Sequence, residues 1–158
     1  MKICMIGTGY VGLVSGACFS DLGNTVYCVD TDKTKIKLLN SGNIPIYEPG
    51  LEEIVKRNFN KKKLIFTDDL RTAIKNSKII FICVGTPTKK NSNKADLKYV
   101  FQVTNQLKKY IHNYKIIVTK STVPVTTGDK IEKILRKLKG KKLIDVVSNP
   151  EFLREGEA

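Results

Sequence analysis

A doubly wound α/β fold on a parallel six-stranded sheet is what this sequence predicts, and three observations carry it. Short apolar runs alternate with amphipathic stretches along all 158 residues. The run Ile79-Ile80-Phe81-Ile82-Cys83-Val84 is apolar without a break, as in parallel strands buried on both faces. The first run, Lys2-Ile3-Cys4-Met5-Ile6, passes straight into Gly7-Thr8-Gly9-Tyr10-Val11-Gly12, a G-x-G-x-x-G turn placed where a strand becomes a helix. Right-handed crossovers and this glycine turn favour strand order 3-2-1-4-5-6, the Rossmann-type arrangement.

The elements follow in order. Strand one is expected at residues 2–6. Helix one spans 11–22, with Val11, Val14, Cys18 and Leu22 inward at i, i+3, i+4 spacing. Gly23-Asn24 gives it a left-handed end. Strand two is 25–29, and the helix over 31–40 turns Ile36 and Leu39 inward. Residues 41–50 form a loop with Pro45 and Pro49, leading into a short helix over 50–58. Strand three is 64–67, and Asp68 caps a helix to residue 76. Strand four is 78–84, followed by a polar loop to 95 and a helix over 96–110. Strand five is 115–119, a helix runs over 125–138, and strand six is 143–147. A further helix is expected to begin after Asn149-Pro150.

Each glycine of the turn has its own task. Gly7 permits the tight turn, Gly9 lets backbone approach a pyrophosphate, and Gly12 lets the helix pack close to the sheet. The helix then aims its free amides and positive end at phosphates. Asp30 ends the second run, about 20 residues on, where a carboxylate accepts from ribose hydroxyls and repels a 2′-phosphate. Together these features point to a dinucleotide, and to NAD over NADP. The plain alternative is a glycine turn that only packs a βαβ unit.

Composition narrows the remaining classes. No apolar run approaches the roughly 20 residues that span a membrane, and the start lacks a signal-peptide pattern, so the expected location is cytoplasmic. Cys4, Cys18, Cys28 and Cys83 show no C-x-x-C spacing and read as buried free thiols. With His112 as the single histidine, just past a helix, no metal site is expected. The net charge of +13 is the strongest argument for nucleic-acid binding. Yet the charge is nearly all lysine, spread along the chain with no aromatic-interleaved patch. Steering anionic ligands is the more natural use. A nucleic-acid binder would show salt-dependent DNA binding stronger than NAD binding.

In such a sheet ligands bind beyond the C-terminal strand ends. Strand four ends in Val84-Gly85-Thr86-Pro87, strand five in Lys120-Ser121-Thr122-Val123-Pro124, and strand six in Asn149-Pro150-Glu151-Phe152-Leu153-Arg154-Glu155-Gly156. Thr86 and Thr122 can donate to a ribose, a phosphate or a water. Glu151 and Glu155, four apart, share a face if a helix begins there. Two readings stay open. Either one carboxylate orients water or acts as a base while the other meets the cofactor, or both sit in a solvated first turn.

These segments, with residues 6–13, Val29-Asp30, Lys35 and Tyr47-Glu48-Pro49-Gly50-Leu51, resemble the NAD-binding N-terminal domain of the UDP-glucose/GDP-mannose dehydrogenase family over the whole chain. Members oxidise the C6 alcohol of a nucleotide sugar to a carboxylate, using two NAD in two hydride steps. The resemblance implies NAD contacts from Val11, Asp30, Lys35, Thr86, Thr122 and Glu155, beside Gly7, Gly9, Tyr10, Gly12, Val84, Gly85 and Ser121. It implies that Thr122 and Glu151 hold a catalytic water, and that Glu151, Phe152, Leu153 and Arg154 line the nucleotide-sugar site. UDP-glucose is the favoured substrate, with GDP-mannose or UDP-N-acetylmannosamine open. The family's catalytic cysteine and lysine lie in a later domain, and no cysteine here matches that position. The expectation is therefore an N-terminal fragment that binds NAD without completing the reaction, from an enzyme whose full-length relatives are usually homodimers. A non-catalytic NAD-binding module is the competing class.

Overall fold

Strand β1 (Lys2–Ile6) explains why the sheet is covered on both sides. Ile3 and Met5 enter one apolar core while Cys4 and Ile6 enter the other, and all four are buried. The computed structural model describes residues 1–90, 92–136 and 143–157. Within them β2 (Thr25–Val29), β3 (Leu64–Thr67), β4 (Ile79–Ile82), β5 (Lys115–Thr119) and β6 (Ile144–Ser148) join β1 in one parallel sheet, in the expected order β3-β2-β1-β4-β5-β6.

Among the described residues six helices cover the sheet: α1 (Tyr10–Asp21), α2 (Lys33–Asn40), α3 (Leu51–Asn60), α4 (Leu70–Asn76), α5 (Lys98–Tyr110) and α6 (Thr127–Leu135). Helices α1 to α3 build one core with Leu13, Ile36, Leu39, Leu51 and Val55. Helices α4 to α6 build the other with Ile74, Val100, Leu107, Ile131 and Leu135. Removing a fully buried side chain from either, such as Leu13 or Ile74, costs about 2–5 kcal/mol.

Helix α1 packs on a different line from the one its large apolar residues suggest. Leu13, Val14 and Ala17 are buried, but Cys18 is exposed and Leu22 is 78% exposed. Small residues mark the contact stripe: a Cβ on Gly16 would lie 2.6 Å from Cys28 Sγ. The helix sits so close to the sheet at Gly16 that no larger side chain fits there, while Leu13 and Val14 fill the core beside it. The other three cysteines are buried as expected.

Several boundaries also move. Asp69, not Asp68, caps α4, accepting the Thr72 amide at 3.0 Å. Helix α5 begins two residues past Asp96, whose carboxylate takes the Lys98 amide at 2.9 Å. The expected end of the sixth helix, residues 137 and 138, lies outside the described residues. No helix follows Pro150 within residues 151–157. There the Glu151 carboxylate accepts the Leu153 amide, a local bond that competes with helix formation. Glu151 and Glu155 therefore do not share a helical face.

Candidate dinucleotide site

The glycine turn is shaped by contacts that a side chain would block. Gly7 has φ +103°, and a Cβ on it would lie 2.8 Å from the Cys83 carbonyl oxygen. A Cβ on Gly12 would lie 1.8 Å from the Gly7 carbonyl oxygen. Gly12 is thus required by the turn itself as well as by helix packing. Nothing lies within 4 Å of a Cβ placed on Gly9, so the turn opens there. The first bond inside α1 runs from the Leu13 amide to the Gly9 carbonyl at 2.9 Å. The amides of Tyr10, Val11 and Gly12 precede it, at the positive end of the helix.

Asp30 sits beside this turn and is held from several directions. Its Oδ2 accepts the Thr8 amide at 2.9 Å, the Thr8 hydroxyl at 2.7 Å and Lys35 Nζ at 3.1 Å. Its Oδ1 accepts the Asp32 amide at 3.0 Å. Burial alone pushes the carboxyl up, but these donors, led by the Asp32 amide and the two groups of Thr8, bring its pKa down to about 2. A groove of about 610 Å³ runs past Gly7, Gly9, Asp30 and Lys35. Its far wall is Arg71 of α4 with Tyr99, Gln102 and Gln106 of α5.

A second groove, about 340 Å³, lies over the ends of β4, β5 and β6. It is lined by Tyr10, Val11, Thr86, Thr122, Glu151 and Glu155. Gly9, Cys83, Val84 and Gly85 line both grooves, so the two meet over the glycine turn. Two hydroxyls brace the strand ends. Ser121 Oγ donates to the Val84 carbonyl at 2.6 Å, and Thr86 Oγ1 to the Thr122 carbonyl at 3.1 Å.

Glu151 is turned inward, its side chain 8% exposed, and Oε2 lies 3.4 Å from Lys120 Nζ. That oxygen is buried without a hydrogen-bond partner among the described residues. A buried acceptor with spare capacity suits a water or a ligand hydroxyl. Burial pushes the Cys83 thiol up to about 12, with Lys120 opposing and Glu151 reinforcing the rise. Cys83 is therefore a neutral thiol, unsuited to nucleophilic attack.

The structure thus gathers most residues singled out from the sequence, but not all. Phe152 is 86% exposed and lines neither groove. The Arg154 guanidinium turns away to Glu157 at 2.9 Å, whereas Leu153 does line the second groove. Lys120 was not singled out for a role, although it adjoins Ser121. Nor were Arg71 and the polar edge of α5, which only the sheet order brings opposite Asp30. Among the described residues no group of three His, Cys, Asp or Glu could hold a metal ion, and no helix is long and apolar enough to cross a membrane.

A family model described as the NAD-binding domain of UDP-glucose/GDP-mannose dehydrogenases matches residues 1–158. The chain belongs to the UDP-glucose/GDP-mannose dehydrogenase family. It is 52% identical to a UDP-glucose 6-dehydrogenase of Rhizobium meliloti (strain 1021) and 53% identical to one of Bacillus subtilis (strain 168), each over 158 residues. These alignments cover 100% and 99% of this chain but 36% and 34% of the relatives. The chain thus spans about a third of their length. Among solved structures, a ternary complex of GDP-mannose dehydrogenase from Pseudomonas aeruginosa superposes with a TM-score of 0.92 at 39% identity, covering 99% of this chain and 37% of that one. A UDP-D-ManNAc dehydrogenase from Pyrococcus horikoshii gives 0.91 at 29%, with the same coverage.

NAD is the cofactor of this family domain. The open face at Gly9, the amides that begin α1 and the ionised Asp30 fit such a dinucleotide.

Proposed function

We propose that this chain is the NAD-binding portion of a UDP-glucose 6-dehydrogenase, which oxidises UDP-glucose to UDP-glucuronate. The observation that carries the reading is the convergence of the glycine turn, Asp30 and Glu151 on two grooves that meet at Gly9. The substrate rests on the 52% and 53% identity to enzymes of that name.

Bound NAD supplies the acceptor for hydride leaving C6, and two such transfers with one water convert alcohol to acid. In this reading the amides of Tyr10, Val11 and Gly12 receive the pyrophosphate beside Gly7 and Gly9. Asp30 accepts from the adenosine ribose hydroxyls, with Lys35 holding the carboxylate in place. Val84, Gly85 and Thr86, with Ser121, Thr122 and Glu155, line the second groove and would hold the rest of the dinucleotide. Glu151 and Thr122 hold the water, and the spare Oε2 of Glu151 is the acceptor that such a role needs. Leu153 and the backbone of Phe152 and Arg154 edge the place where the sugar approaches.

GDP-mannose or UDP-N-acetylmannosamine oxidation is the second reading, kept open by TM-scores of 0.92 and 0.91 to dehydrogenases of those sugars, level with the 0.91 to a UDP-glucose dehydrogenase. The test is NADH formation by the polypeptide that carries this domain, offered each nucleotide sugar. Two NADH per UDP-glucose, at the highest kcat/KM, is the expected result. Faster turnover of GDP-mannose or UDP-N-acetylmannosamine would replace the first reading with the second. The 158-residue chain alone is expected to bind NAD and to yield no UDP-glucuronate.

A further inference from the structure

Glu48 lies in the 41–50 loop between exposed neighbours, Tyr47 at 83% exposure and Pro49, yet is itself only 7% exposed. A buried carboxylate on an exposed loop is unfavourable unless it is paired. Its Oε2 accepts two hydrogen bonds from distant parts of the chain. The Tyr10 hydroxyl donates at 2.7 Å and the Gly156 amide at 2.7 Å. The Tyr10 hydroxyl also lies 3.0 Å from the Arg154 carbonyl. Gly156 has φ +87°, a left-handed conformation that glycine adopts without strain and that turns its amide to the carboxylate.

These partners matter because of where they sit. Tyr10 opens α1 and lines the second groove. Glu151, Leu153 and Glu155 line it too, on the segment that carries Gly156. That segment has no helix and no strand of its own within residues 151–157. A short irregular segment opens readily unless side chains tie it down. Beside backbone pairing at Asn149 and the Lys120–Glu151 ion pair, Glu48 and Tyr10 tie it to the rest of the fold.

We propose that Glu48 is a positioning residue: it latches the 151–157 segment over the dinucleotide groove by tying the Gly156 amide to the Tyr10 hydroxyl. The inference deepens the NAD-binding reading above and rests on it for its effect on affinity. Glu48 touches neither groove wall with a reacting group. It acts through Glu151 and Glu155, whose positions over the groove depend on the latch. The loop that carries it is thereby part of the site, although Glu48 lines neither groove.

The test uses the 158-residue chain as wild type, Glu48→Gln and Glu48→Ala. Each is titrated with NAD by calorimetry, and amide hydrogen exchange is followed without ligand. Glu48→Ala should weaken NAD binding about tenfold, the scale of one charge-assisted hydrogen bond. Exchange should accelerate in residues 151–157 and not in β1 or β4. Glu48→Gln keeps an acceptor oxygen and should stay within about threefold of wild type in affinity. Wild-type affinity in Glu48→Ala, or exchange that accelerates equally in the core strands, would overturn the latch. If the wild-type chain fails to bind NAD, the functional reading falls, and the exchange pattern alone decides whether the latch exists.

Discussion

The groove around Asp30 and the groove around Glu151 are built differently. Around Asp30 the work is done locally: Thr8, Asp32 and Lys35 all lie within 22 residues and fix the carboxylate before any ligand arrives, with three donors on Oδ2 and a single one on Oδ1. Around Glu151 the ties are long-range. Its segment is held by Tyr10 across 144 positions and by Glu48 across 108, and one carboxylate oxygen keeps spare capacity. The half around Asp30 is preorganised. The half around Glu151 is assembled from separate parts of the chain and retains an open acceptor.

The largest expected effect removes both halves at once. Gly12→Ala forces a Cβ against the Gly7 carbonyl, where 1.8 Å is available. A cost of about 3 kcal/mol follows from such overpacking, lowering Tm by roughly 6–12 °C for a chain of this size. A thermal melt by circular dichroism checks it, and an unchanged Tm would mean that the turn can move aside.

The next breaks only the preorganised half. Asp30→Ala should weaken NAD binding by about tenfold to a hundredfold, the loss of charged hydrogen bonds, while NADP binding falls less. Equal losses for the two would show that Asp30 does not read the 2′ position.

A smaller effect belongs to the other half. Lys120→Met leaves Glu151 buried without its ion-pair partner, so the chain should lose about 1–3 kcal/mol in urea unfolding. No loss would show that the 3.4 Å pair contributes nothing.

The smallest expected effect is a null result with a sign. The Asp30 pKa is depressed to about 2 from an ordinary 3.8, so its contribution is complete above about pH 4 and is lost only as pH falls toward 2. NAD affinity should therefore hold steady from pH 8 to pH 5. A decline centred near pH 6 would place a different group in control.

This contrast also governs what could be read from the sequence. The strand order, the glycine turn and Asp30 were legible because their physics is local: apolar runs, tight spacing, one acid at the end of a strand. Helix α1 misled because its contact face is written in small residues, Gly12, Gly16 and Ala17, which carry no hydrophobic signal. The helix expected after Pro150 fails because Glu151 bonds the nearby Leu153 amide instead. Phe152, an aromatic in the right segment, points to solvent because side-chain direction in an irregular segment has no period to read. Glu48 was visible only as part of a motif, since its partners lie 38 and 108 residues away.

The central claim is that the Gly7–Gly12 turn and Asp30 form an NAD site that discriminates against NADP. Calorimetric titration of the 158-residue chain with NAD and with NADP tests it most directly. NAD should bind at least about tenfold more tightly, since a 2′-phosphate would meet the ionised Asp30. Equal or tighter binding of NADP would contradict the account.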